Sequence, residues 1–219
     1  MEMELIQKRQ TMSYVNIYER ILIDPPYKKI YHRLGFKKKT TELSTKQQKE
    51  TDTFIEDALP FITLKGCSRR VAINKNDGKQ VIAAGDLVFE SRRLARFLYE
   101  CREALLMGAT AGSVIMEAIA DQTKKGNLSA AVVYDATASE MTDATLTWLM
   151  DYFSIQLRHE GKKLLPRRFS AGYADFKLEN QKNIYRALEM QKIGVAIKSN
   201  FILIPEKSVT AITGIYGSQ

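Results

Sequence analysis

Arg168, Gly172 and Tyr173 carry the chemistry that this sequence supports best. Arginine presents a planar fork of N–H donors that can grip a carboxylate with two parallel bonds. Gly172, preceded by the small Ala171, permits a positive φ or a close approach of main chain to a bound group. Tyr173 adds an aromatic face and a phenol. Opposite charge stands at Asp135 and Asp143. Asp135 follows the small apolar run Ala130–Tyr134, expected to be a buried strand, and either faces a cleft or caps the next helix. Asp143 falls in the first turns of that helix, where the helix dipole alone accounts for it. If either acid meets Arg168 across a cleft, the site holds both signs and suits a zwitterionic ligand. No nucleophile–base pair stands out by spacing, so catalysis by the chain itself is not indicated.

The rest of the sequence narrows the chemistry further. The 219 residues include only two histidines, His32 and His159, and two cysteines, Cys67 and Cys101. A zinc site would consume nearly all of them. The sequence contains no CxxC, HExxH, GxGxxG or GxxxxGK[ST], which argues against a zinc enzyme, a Rossmann dinucleotide site and a P-loop NTPase. Cys101 lies on an apolar stripe and reads as core. His159 reads as a partner for a helix C-terminus. The two cysteines allow one bridge but no disulfide framework. No apolar run approaches the roughly 18 residues of a membrane span. The acidic Met-Glu-Met-Glu start lacks the features of a secretory signal, so a cytoplasmic location is expected.

Charge sets the class of partner. The chain has 33 Lys+Arg against 25 Asp+Glu, a net +8. Much of the excess lies in the first fifty residues, including Lys28, Lys29, Arg33 and Lys37–Lys39. A second cluster is Arg158, Lys162, Lys163, Arg167 and Arg168. Such patches attract acidic partners or phosphate, although a basic solvated face is the commoner meaning. Tyr27, Tyr31 and Phe36 stand among the N-terminal lysines, but no recognised nucleic-acid motif accompanies them. Nucleic acid therefore ranks last among the partners.

The elements that must position these residues are mixed. Pro25-Pro26 ends whatever precedes it. An amphipathic helix, capped at Ser44 or Thr45, ends before Pro60. Phe61–Leu64, Arg70–Ile73 and Val81–Ala83 read as strands, with Asn76-Asp77-Gly78 turning between the last two. Leu94, Phe97, Leu98, Cys101 and Leu105 lie at helical spacing behind a Ser91 cap. Further helices are expected over Ser113–Lys125, from near Thr137 to Arg158, and from Leu178 to Lys192, where Gly194 is the C′ residue. Val195–Ile197, Phe201–Ile204 and Val209–Ile215 read as closing strands. Short strands mixed irregularly with long helices, without repeat or linker, favour an α+β fold in a single domain over 1–219.

Four stretches, in order, resemble the activation (reactivation) domain of cobalamin-dependent methionine synthase. Arg168-Phe169-Ser170-Ala171-Gly172-Tyr173 is similar to its Arg-x-x-x-Gly-Tyr motif. His32-Arg33-Leu34-Gly35-Phe36-Lys37 looks like the entry segment of small relatives. Gly108–Gly112 with Ala130–Ala138, and Ile193-Gly194-Val195 through Pro205-Glu206-Lys207-Ser208-Val209, match two later stretches. The resemblance spans about 30–215. It implies a C-shaped α+β domain with a twisted antiparallel sheet and flanking helices. It also implies S-adenosylmethionine as ligand and methyl donor, bound in a shallow groove, with the cobalamin carried by a partner.

The family arginine at the Arg168 position grips the ligand carboxylate. Main chain at Ala171–Gly172 and Tyr173 line the site, and an acidic helix residue falls near Asp143. The implied partner is a cobalamin-dependent methionine synthase or related corrinoid protein. There, cob(II)alamin is reductively methylated with an electron from flavodoxin or another donor. The chain would be an accessory component of that methyltransferase, acting in trans in methionine biosynthesis. Two departures stand out. Ala171 replaces the family proline, and the sequence ends before a further strand pair whose tyrosines touch the ligand, unless Tyr216 substitutes. These departures motivate an alternative, a scaffold for a corrinoid methyltransferase that has lost ligand binding.

Overall fold

A computed structural model describes residues 14–36 and 43–217. The basic run Lys37–Lys39 and the first thirteen residues lie outside them. The elements in chain order are β1 (Asn16–Tyr18), α1 (Tyr27–Arg33), α2 (Thr45–Ala58), β2 (Lys65–Asn76), β3 (Gln80–Ala83), β4 (Leu87–Glu90), α3 (Arg92–Phe97), β5 (Glu103–Thr110), α4 (Val114–Lys124), α5 (Leu128–Arg158), β6 (Lys162–Leu164), α6 (Asn180–Ala187), β7 (Ala196–Ile197), β8 (Leu203–Ile204) and β9 (Ser208–Gly217). Short 3-10 turns follow α2 and α6.

Seven of the strands form one antiparallel sheet in the order β4-β3-β2-β5-β9-β6, with β1 also on β2. Strand β2 is long enough to serve two neighbours along one edge. Its Gly66–Ser68 pairs with β1, and its Ile73–Asn76 pairs with β3 through an irregular register. Its other edge pairs with β5 from Lys65↔Thr110 to Ala72↔Glu103. Strand β5 then pairs with β9 from Glu103↔Ile215 to Thr110↔Ser208. The sheet curls into a half-barrel with flanking helices, an α+β fold of the class expected.

Residues 104–110 of β5 are all buried because the sheet is covered on both faces. Leu105, Met107 and Ala109 pack with Leu146, Leu149, Phe153 and Leu157 of α5. Ala104 and Leu106 join the opposite core, with Leu94 and Leu98 around α3 and Ile184, Leu188 and Met190 around α6. The other half of α5 leaves the sheet and packs on helices. Ala130, Tyr134, Ala138 and Met141 meet Ile115 of α4, and Val133 and Ala136 meet Ile30 of α1 and Ile55 of α2.

Several expectations are corrected. Ala130–Tyr134 is not a strand but the first turns of α5, capped by the Asn127 side chain, which accepts from Ala130 N–H. A short run of small apolar residues cannot be assigned by periodicity alone. Alanine favours helix, and burial at 130, 134, 138 and 141 has the helical period. The second concerns Cys101 and Leu105, which do not continue α3. That helix ends at Phe97, although Ser91 caps it as expected by accepting from Leu94 N–H at 3.0 Å. A strand buried on both faces loses its alternation, which made β5 resemble a helical stripe. The last expected helix is also shorter, because Glu189 takes a left-handed φ of 50° after α6.

Phe61–Leu64 is not a strand either: Phe61 ends a 3-10 turn that starts at Leu59-Pro60, and the strand begins only at Lys65. Several other readings hold. Ser44 caps α2 in a reciprocal box with Gln47, His159 is the C-cap of α5, and Gly194 turns with φ 79°. Both cysteines are free and buried. Close packing around β9 gives a direct test. A Cβ on Gly214 would lie 2.3 Å from Cys101 Sγ and 2.9 Å from Leu165 Cδ1. Gly214→Ala should therefore destabilise by about 1–3 kcal/mol, the usual cost of overpacking. Thermal unfolding should show a midpoint several degrees below wild type, and an unchanged midpoint would contradict the packing.

Candidate functional site

The Arg168–Phe176 segment leaves the sheet after β6 and is pinned at several points. Phe169 exchanges two backbone hydrogen bonds with Ile212 of β9, both 2.8 Å. The Phe176 ring is fully buried against Phe89, with centroids 5.7 Å apart. Ala171 is buried in the same core. Between these anchors Gly172 takes φ +91° and its N–H reaches Phe176 O at 2.7 Å. Tyr173 is left 69% exposed beside it. The expected turn glycine and available tyrosine are thus present, and the buried Ala171 and Phe176 hold the loop.

Asp175 ties this loop to α3. Its carboxylate accepts from Ser91 Oγ at 2.6 Å, Arg92 N–H at 2.8 Å and Arg93 N–H at 3.3 Å. These bonds, led by that from Ser91, hold its pKa below the ordinary carboxylate range.

The facing wall is α5. Asp135, Ser139, Asp143 and Thr147 recur every four residues and so form one polar row along the helix. Two cations from the sheet side meet this row. Arg168 forms an ion pair with Asp143 through Nη2 and reaches Thr147 Oγ1 at 3.4 Å through Nη1. Lys207, just before β9, meets Asp135 at 2.7 Å and Ser139 Oγ at 2.9 Å. The Arg168 side chain is 23% exposed and that of Asp143 42%, so the pair sits at the rim of the structure.

Of the residues singled out from sequence, Arg168 and Asp143 are therefore brought together. Asp135 stands two helical turns away, about 12 Å along the axis at 1.5 Å per residue, and is engaged by Lys207. Ser139, Thr147, Lys207 and Asp175 were not expected at the site. Ser139 and Thr147 were concealed by reading Ala130–Tyr134 as a strand, which detached Asp135 from the helix and hid the four-residue period of the row, and Lys207 lies far from Asp135 in sequence. Asp175 gave no local signal, because its partners lie more than eighty residues away in sequence.

Other reactive groups are quiet. Burial raises the Cys67 thiol to about 12 and the Cys101 thiol to about 11, which keeps both protonated and poorly nucleophilic near neutral pH. Among the described residues no group of three or more His, Cys, Asp or Glu could hold a metal ion. None of their helices is long and apolar enough to cross a membrane.

A two-faced α+β half-barrel, with an arginine loop set against one long helix, is the class that fold and site define. Among solved structures the chain is similar to the crystal structure of the MetH reactivation domain bound to AdoHcy. The TM-score is 0.67 over 94% of this chain and 80% of that one, at 11% sequence identity. The likeness shows the fold. No protein-family model matches the chain, and no curated protein matches it.

The Asp175 cap predicts an acid dependence with a definite sign. A carboxyl with a depressed folded pKa contributes stability above its unfolded pKa, and that contribution is lost as pH falls through the folded value. Thermal unfolding of wild type and Asp175→Asn should differ most near pH 7, with wild type the more stable. The gap should narrow below about pH 4, the ordinary aspartate range. A gap that widens in acid would contradict this role.

Proposed function

We propose that this chain binds S-adenosylmethionine through its amino-acid end and serves as a reactivation module for a cobalamin-dependent methyltransferase. The observation that carries the reading is the rim ion pair of Arg168 with Asp143. A zwitterionic α-amino acid carries the same two charges in the opposite sense. Its carboxylate can take the Arg168 fork and its ammonium the Asp143 carboxylate. The residues thus fit the ligand by charge and by donor geometry. The resemblance of the Arg168–Tyr173 motif and the likeness to a fold solved with AdoHcy support the same choice.

In this reading each residue has a task. Arg168 orients the carboxylate, and Thr147 steadies the guanidinium. Asp143 receives the ammonium. Gly172, without a side chain, leaves main chain open to the ligand beside Ala171, and the exposed Tyr173 covers it. Asp135 keeps Lys207 against the helix, so that a second cation stands along the same wall. S-adenosylmethionine would supply the methyl group. With an electron from flavodoxin or another reductase, the cob(II)alamin of a partner methionine synthase or related corrinoid protein would be methylated, leaving S-adenosylhomocysteine.

Calorimetry with S-adenosylmethionine and with S-adenosylhomocysteine tests the ligand directly. Both share the amino-acid end, so both should bind wild type. Arg168→Ala should weaken each by about 10–100-fold, the loss of a charge-assisted contact worth roughly 1.5–3 kcal/mol. Unchanged affinity would remove Arg168 from the site. The partner is tested separately, by adding the chain to a methionine synthase that lacks its own reactivation domain. Recovery of methylcobalamin absorbance should require both S-adenosylmethionine and a reductant.

A further inference from the structure

A groove of about 700 Å³ lies on the other flank of the Arg168 segment, between that segment and α3. Arg93 and Arg96 stand on one wall and Arg167 and Arg168 on the other, with Phe97 and Phe169 between them. The walls are fixed. The Leu165 N–H reaches Gly214 O at 2.9 Å, and Thr213 Oγ1 donates to Arg167 O at 2.9 Å. The start of α3 is held by Asp175, whose carboxylate is spent on Ser91 Oγ and two backbone N–H groups. The Phe97 and Phe169 rings lie 5.9 Å apart at 32°, half-buried, and present a shared aromatic surface.

Three of the four arginines that line the groove are electrically uncompensated. Arg33, Arg70 and Arg168 are each paired with a carboxylate. Arg93, Arg96 and Arg167 make no side-chain ion pair or hydrogen bond among the described residues, and no carboxylate lines the groove. Like charges gathered around one concavity repel one another until an anion enters. Arginine forks match phosphate oxygens, and an aromatic floor offers a stacking face to a planar base. The volume lies within the range of roughly 300–1,000 Å³ usual for small-molecule sites.

We propose that this groove binds a nucleoside diphosphate group, with the phosphates between Arg93 and Arg96 on one wall and Arg167 on the other, and the base against Phe97 and Phe169. The same diphosphate chemistry is offered by inorganic pyrophosphate, and the contribution of the base distinguishes the two. This site does not depend on S-adenosylmethionine binding.

Titration with ADP, inorganic pyrophosphate and adenosine at low salt reads the proposal. ADP should bind more tightly than pyrophosphate, and adenosine should give no measurable signal. Pyrophosphate binding as tightly as ADP would overturn the role of the rings. The Arg96→Ala/Arg167→Ala double variant, both positions exposed, should lose at least about 10-fold in ADP affinity, as expected for charge-assisted contacts. It should keep the wild-type melting temperature. Arg168 is intact in that variant, so any S-adenosylmethionine affinity of wild type should survive. Absence of ADP binding to wild type at millimolar concentration, or equal affinity in wild type and double variant, would overturn the site.

Discussion

The packing of the 31-residue helix α5 across one face of the sheet is the constraint on which the rest depends. Leu146, Leu149, Phe153 and Leu157 bury their side chains against β5 and β9 and so fix both the depth and the rotation of the helix. Once those residues face the sheet, the row Asp135–Ser139–Asp143–Thr147 must fall along its flank. It lies beside the segments that carry Arg168 and Lys207. An apolar contact thereby decides an electrostatic one. Burial at roughly 25 cal/mol per Å² holds the helix in place. The rim ion pair, partly exposed, adds little stability and is better suited to exchange with a ligand.

The opposite face follows from the same sheet. Strand β5 is buried on both sides, so the core around α3 and α6 is built on its alternate residues. Phe169 and Phe176 join that core from the loop, and Asp175 fastens the loop to α3. The Arg168 segment is thus clamped between two independently packed layers. It can present Arg168 toward α5 and Arg167 toward α3, so a single strand-like stretch serves two surfaces of different chemistry. One surface carries both charges, and the other carries only positive charge.

Much of this was legible in the sequence where local chemistry decides the outcome. Ser44 and Ser91 as caps, the Asn76-Asp77-Gly78 turn, Gly194 and the β9 strand depend on neighbours a few residues away. The α+β class and the Arg168-to-Tyr173 motif were equally visible. Reading failed where burial on two sides erased the period. Strand β5 mimicked a helical stripe, and the alanine-rich start of α5 mimicked a strand. That second error hid the polar row, because Asp135 and Asp143 no longer belonged to one helix. Partners distant in sequence, such as Lys207 for Asp135 and Ser91 for Asp175, have no local signature at all.

The central claim is that Arg168 and Asp143 together receive the amino-acid end of an S-adenosyl ligand. A crystal structure of the chain grown with S-adenosylhomocysteine tests it most directly. The account predicts the ligand carboxylate on the Arg168 guanidinium and its ammonium on Asp143, with the Gly172 main chain alongside. A ligand bound elsewhere, with the Arg168–Asp143 pair undisturbed, would contradict it.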